Sequence, residues 1–114
     1  MKKFYSVFSY LLILLGVIHI AFTPVFVSTF SPPAVWFAAG GLALVFLGLL
    51  NLIAIQAEKQ LTFSICLIAN LIGIVYGILI VIAVTEPHAF AALVIIIVVT
   101  LGSINGRKVS DVDK

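Results

Sequence analysis

One imidazole stands alone in a long uncharged stretch. His19 lies between Phe4 and Ala57, a run without Asp, Glu, Lys or Arg. An ionisable group in such apolar surroundings is costly, which makes it a candidate site. Two readings of His19 are open. In one, the ring contacts a ligand, a proton or a cofactor in a cavity. In the other, it is a neutral histidine hydrogen-bonded to Tyr76 or to a backbone carbonyl. The second imidazole, His88, follows Glu86 and Pro87. A carboxylate beside an imidazole can bind a metal or gate a cavity, and it suits equally well a solvated helix start, where Glu complements the helix dipole. His19 and His88 together are two candidate axial ligands for haem, which would make the chain a redox protein.

The remaining polar and aromatic candidates are Tyr76, Trp36 and Asn70, with Asn51 and Tyr10 deeper toward the other end. The two asparagines read as bridges between helices before they read as substrate contacts. The constellations of catalysis are missing: no HExxH, no GxSxG, no Cys–His pairing, no two intramembrane carboxylates and no phosphate-cradling loop. The reading is therefore non-enzymatic, with the cofactor unknown, and any redox chemistry would have to come from a bound group. The single cysteine, Cys66, forms no internal disulfide and no cysteine metal cluster. Its apolar setting makes it a small inert residue.

The elements that carry these residues follow from composition. The chain has 114 residues, 64% hydrophobic and 9% charged. A soluble domain is about half apolar and about a quarter charged, so lipid is the natural solvent here. Charge is absent from Phe4 to Ala57, from Gln60 to Thr85 and from Pro87 to Gly106. At ~20 residues per crossing, the first stretch holds two spans and the others one each. Ser31-Pro32-Pro33, Ala57-Glu58-Lys59-Gln60 and Thr85-Glu86-Pro87 mark the turns. Thr85 reads as an N-cap and Pro87 as a first-turn proline, while Asn105-Gly106 reads as a C-cap. The predicted spans are 4–29, 34–56, 61–84 and 87–105, with 106–114 as a tail. Lys2-Lys3 before an apolar run reads as the start of a span and not as a signal peptide, because the run is too long, no small-x-small cleavage site follows and further spans come after it.

Short connections make sequential helices antiparallel neighbours, an up-down-up-down four-helix bundle closed by spans one and four. Lys2, Lys3, Lys59, Arg107, Lys108 and Lys114 then share one side, and the other side has Glu86 with no Lys or Arg. The positive-inside rule places that basic side, and both termini, in the cytoplasm. Trp36 falls at the outer interface. With no basic stripe, nucleic-acid binding is excluded. The partners implied are membrane lipids, with a homodimer or a larger membrane complex as further candidates.

Small residues are expected to pack the helices: Gly16 on a stripe with Ser9, Leu12 and His19, then Gly40, Gly41 and Gly48, then Gly73 and Gly77 on a stripe with Ala69. In span four, Ala89, Ala92, Thr100 and Ser103 form such a stripe, and the bulky run Val94 to Val99 is expected to face lipid for most of its girth. Thr23-Pro24 is expected to kink span one, with the threonine hydroxyl bonding a backbone carbonyl. At ~1.5 Å per residue, His19 lies ~22 Å from the basic side, level with Tyr76 and Gly40–Gly41. These residues would line an outward cavity, with His88 nearer the surface than His19.

The size and the four short-looped spans resemble the small multidrug resistance transporters. Those depend on an intramembrane glutamate in the first span, where this chain has His19 and no acid, so their function is not carried over. Gly16-Val-Ile-His19-Ile, Trp36-Phe-Ala-Ala-Gly40-Gly41 and Leu47-Gly48-Leu-Leu-Asn51-Leu resemble small bacterial four-span proteins, which implies a bacterial cytoplasmic membrane. The expected function is binding or transport of a small molecule or lipid through the outward cavity. The alternatives are an accessory subunit of a membrane complex and a haem protein.

Overall fold

The computed structural model describes residues 2–112, with side chains through residue 110. The described residues are all helical apart from short connections: α1 (Lys2–Ala21), α2 (Thr23–Phe26), α3 (Pro32–Ala57), α4 (Gln60–Ala83) and α5 (Pro87–Val112). The four long helices are each long and apolar enough to cross a membrane. The body is 53 Å long, against the ~30 Å of a hydrocarbon core. One end carries Lys2, Glu58, Lys59 and the last turns of α5, and is here called the basic end. The other carries the α1–α3 and α4–α5 connections and both histidines, and is called the histidine end.

The bundle is built as two close pairs. α1 packs most intimately on α3, and α4 on α5; α1–α5 and α3–α4 contacts join the pairs, which leaves α1 and α4 on a diagonal. Glycines set the α1–α3 distance. A Cβ on Gly16 would lie 2.5 Å from the Gly41 carbonyl oxygen, and one on Gly41 would lie 2.7 Å from that of Gly16. The two backbones therefore touch directly at this crossing. Gly48 repeats the arrangement farther along, where a Cβ would lie 2.6 Å from Ile13 and 2.7 Å from the Ser9 carbonyl oxygen. Gly73 faces Leu47 and Ile96, and Gly77 faces Leu93. The GxxxG run thus packs within the bundle, against α3 and α5.

Two boundaries and one cap depart from expectation. Span one does not run to residue 29. α1 ends at Ala21, Phe22 takes a non-helical conformation, and α2 restarts for one turn with Pro24 near its head. Pro24 has no N–H to continue the ladder and its ring crowds the preceding turn. The Thr23 hydroxyl donates to the His19 carbonyl (3.2 Å), as the sequence suggests. The expected tail 106–114 is helical through Val112, and residues 113–114, with Lys114, lie outside the described residues. Asn105-Gly106 is therefore no C-cap. Gly106 lies inside α5 because the Phe63 ring occupies the place of its Cβ, so tertiary packing overrides local capping chemistry. α5 begins at Pro87, as expected, but Thr85 does not cap it; the Glu86 carbonyl accepts the Ala89 N–H (3.1 Å).

The buried stripe of α1, Tyr5, Ser9, Leu12 and Gly16, matches the predicted face and extends it one turn. On α5 the predicted small residues Ala89, Thr100 and Ser103 are buried, and so are Ile96 and Val99. The bulky run is therefore not mainly outward: Val94 and Ile97 are exposed, while Ile96 and Val99 fill the gap between the pairs.

Candidate functional site

The two polar regions of the bundle differ in kind. At the centre, toward the basic end, every long helix contributes to one network. The Asn51 and Asn70 amides pair reciprocally: Asn51 Nδ2 donates to Asn70 Oδ1 (2.9 Å), and Asn70 Nδ2 donates to Asn51 Oδ1 (3.0 Å). The Tyr5 hydroxyl donates to Asn51 Oδ1 (2.5 Å), and the Cys66 thiol donates to the same oxygen (2.9 Å). Asn51 Nδ2 also reaches the Leu47 carbonyl (2.8 Å), and Asn70 Nδ2 reaches the Ser103 hydroxyl (3.3 Å). Ser103 in turn donates to the Thr100 carbonyl (2.7 Å). Among the described residues no buried side-chain nitrogen or oxygen lacks a partner. Asn51, Cys66, Asn70 and Ser103 are fully buried.

Asn70 thus belongs to the network that joins α3, α4 and α5. Its amide is occupied by neighbours, and it lines neither the groove at the histidine end nor the cavity at the basic end. Tyr5 is drawn inward because α5 carries Gly102 opposite it. A Cβ there would lie 2.5 Å from the tyrosine ring.

At the histidine end the arrangement is open. The break after Ala21 swings Phe22 and Phe26 across the end of α1, toward Phe37 on α3 and His88 on α5. The His19 ring stacks on Phe37, with centroids 4.0 Å apart and planes 14° from parallel. Such stacking holds the imidazole in one orientation. The His88 ring lies 5.6 Å from that of His19, tilted by 55°. Phe26 closes the group, 5.5 Å from Phe37 and 6.1 Å from His88. These rings, with Leu15, Ile18 and Phe22, line a groove of about 270 Å³. Gly40 is exposed beside it, and a Cβ there would lie 3.6 Å from His19 Nε2. Gly40 therefore places no side chain over that nitrogen.

The expected site is thus rearranged. His19 and His88 come together, although depth estimates had separated them, because α5 starts at Pro87 and brings His88 into its first turn beside the end of α1. Tyr76 does not join them. It sits on α4, diagonal to α1, off the stripe of Phe63, Cys66, Asn70, Gly73 and Gly77, and is 64% exposed. Trp36 and Glu86 are also exposed and line no part of the groove. The residues missed by sequence reading are Phe22, Phe26 and Phe37. Their only signal was their proximity to Thr23-Pro24 and Trp36, and an unbroken helix would have pointed them elsewhere.

The phenylalanines crowd the space around the two rings, with Phe37 stacked on His19 and Phe26 beside His88, and this counts against a haem held between them. Among the described residues no third His, Cys, Asp or Glu joins the pair as a metal ligand. The chemistry available is hydrogen bonding from two imidazoles at the base of an apolar groove. The larger cavity, about 700 Å³, lies at the basic end and not at the histidine end where sequence placed it. Comparison with protein-family models, curated proteins and solved structures finds no match.

Proposed function

We propose that the protein is an integral membrane protein that crosses the bilayer four times, with its basic end in the cytoplasm, and that it binds an amphiphile in the groove of His19 and His88. The observation that carries this reading is the convergence of two imidazoles from α1 and α5 within 5.6 Å, one of them stacked on Phe37, beneath an apolar and partly open mouth. The ligand class is a small molecule or lipid with one hydrogen-bonding head group and an apolar tail. The head group meets the imidazoles, and the tail leaves between Ile18, Phe22 and Phe26, all exposed on the bundle surface. Chemistry on the ligand is no part of the proposal. Six basic residues at one side against none at the other support the orientation, and the bacterial resemblance of the sequence supports a cytoplasmic membrane as the location.

A long-chain alcohol carrying a diazirine tests the groove. On illumination in nanodiscs, adducts are expected on residues 15–26, on Phe37 and near His88. Excess unlabelled alcohol should compete them away, and His19→Ala should reduce them severalfold. Labelling spread along the exposed face of α4, indifferent to competitor and to His19, contradicts the reading.

A further inference from the structure

The corner that runs from the break after α1 to the first turns of α3 carries its apolar side chains outward. Phe22, Val25, Phe26, Phe30, Val35 and Trp36 are all exposed, Phe30 at 96% and Trp36 at 76%. The corner holds no charge, since none falls between Phe4 and Ala57. The α4–α5 connection at the same end has the opposite character, with Glu86 exposed. Two requirements fix where the corner sits. Six large apolar side chains gathered in one place are costly to leave in water. Yet the backbone of residues 27–31 is non-helical, and irregular backbone facing lipid is not tolerated in the hydrocarbon core, where nothing satisfies its N–H and C=O groups. The head-group boundary of a bilayer meets both requirements. It solvates the backbone and takes up the rings and aliphatic chains, and tryptophan collects there. The corner also shares a wall with the histidine groove. Phe22 and Phe26 line that groove and are exposed at its rim, as is Ile18. The mouth of the groove therefore lies at the level of the corner.

We infer that the corner from Phe22 to Trp36 is seated at the head-group boundary of the outer leaflet, and that the histidine groove opens sideways into that leaflet. The ligand is then an amphiphile resident in the bilayer. Its head group stays at the boundary beside the imidazoles, and its chain passes between Ile18, Phe22 and Phe26 into the acyl region. A molecule dissolved in water would have to cross the same apolar rim. The seating of the corner stands on its exposed side chains and its non-helical backbone, while the source of the ligand rests on the binding groove proposed above.

Trp36 is the single tryptophan of the chain, so its fluorescence reports the depth of the corner. The full chain is reconstituted in vesicles of phosphatidylcholine brominated near the glycerol end or near the methyl end of its acyl chains, and is also probed with aqueous iodide. Bromines near the glycerol should quench Trp36 severalfold more than bromines near the methyl ends. Iodide should quench it severalfold less than it quenches free tryptophan. Phe30→Asp, at a side chain the fold does not bury, should raise iodide quenching severalfold, and Phe30→Leu should not. Iodide quenching equal to that of free tryptophan overturns the inference, because the corner is then in water. Strongest quenching from the methyl-end bromines overturns it as well, because the corner is then in the core. The source of the ligand is read separately, with a two-chain diazirine lipid built into the same vesicles. It should label residues 15–26 in wild type and severalfold less in His88→Ala. If a short-chain diazirine alcohol supplied in the water labels the groove and the two-chain lipid does not, the bilayer is overturned as the source. If neither probe labels it while Trp36 lies at the boundary, the binding groove is overturned and the seating of the corner is upheld.

Discussion

The asparagine network and the histidine groove are made from the same kind of material, polar side chains in apolar helices, and they come out opposite. In the network each donor and acceptor has a protein partner, and two amides close on each other across α3 and α4. In the groove two imidazoles face each other across aromatic rings, and Gly40 places no side chain over His19 Nε2. Saturation marks a structural lock, because a polar group satisfied in apolar surroundings has nothing left to offer a ligand. Accessible capacity marks a site. The contrast is one of geometry, since the sequence surrounds both regions with the same Leu, Ile, Val and Phe.

The strongest way to break the contrast is to strike what both regions share. Gly41→Ala places a Cβ 2.7 Å from the Gly16 carbonyl oxygen and 3.1 Å from His19 Cβ. It should separate α1 from α3, cost about 1–3 kcal/mol or more, and damage network and groove together, as read by unfolding in denaturing detergent and by amphiphile binding. Next comes Asn51→Leu, which strands the Tyr5 hydroxyl, the Cys66 thiol and the Asn70 amide. Interhelical hydrogen bonds in membranes average about 0.6 kcal/mol and reach about 2, so a loss of about 1–2 kcal/mol is expected with binding preserved. Asn51→Leu with Asn70→Leu should cost less than the sum of the two, because the second change removes groups already stranded. A double-mutant cycle checks this.

His88→Ala sharpens the contrast from the other side: stability within about 0.5 kcal/mol of wild type, and amphiphile binding down severalfold. Gly40→Ala should act more gently. Its Cβ fits at 3.6 Å from His19 Nε2, so the fold accepts it while the imidazole edge is shielded and affinity falls modestly. The smallest effect belongs to the exposed Lys2–Glu58 pair. The hydrogen bond and charge of Lys2 hold the Glu58 carboxyl below its usual range. The stabilisation is therefore present above the ordinary carboxylate pKa and disappears as pH falls through the lowered value. In Lys2→Gln the acid end of the stability curve should lose this small step.

Much of the fold was legible because hydropathy and turn residues act locally. The stretches around Pro32-Pro33, Glu58-Lys59 and Pro87 bound helices close to where the uncharged runs place them. The stripe Ser9, Leu12, Gly16 was readable because helical periodicity brings small residues to one face. Rotation and neighbour choice were not readable. Tyr76 and His19 share a depth on paper but sit on helices that lie diagonally, and nothing in a single sequence says which helix a face meets. The extension of α5 through Gly106 depended on Phe63, 43 positions away in the chain. The groove's aromatic walls depended on a helix break whose direction no local rule fixes. Asn51 and Asn70 were legible as bridges, while their partners Tyr5, Cys66 and Ser103 became visible only once the helices were packed.

The central claim is that the two polar regions divide their roles, one holding the bundle and the other binding. The yield of competable diazirine–alcohol adduct, measured side by side in wild type, Asn51→Leu and His88→Ala, tests it most directly. The account predicts a wild-type yield in Asn51→Leu and a severalfold loss in His88→Ala. An adduct that disappears in Asn51→Leu and survives in His88→Ala would contradict it.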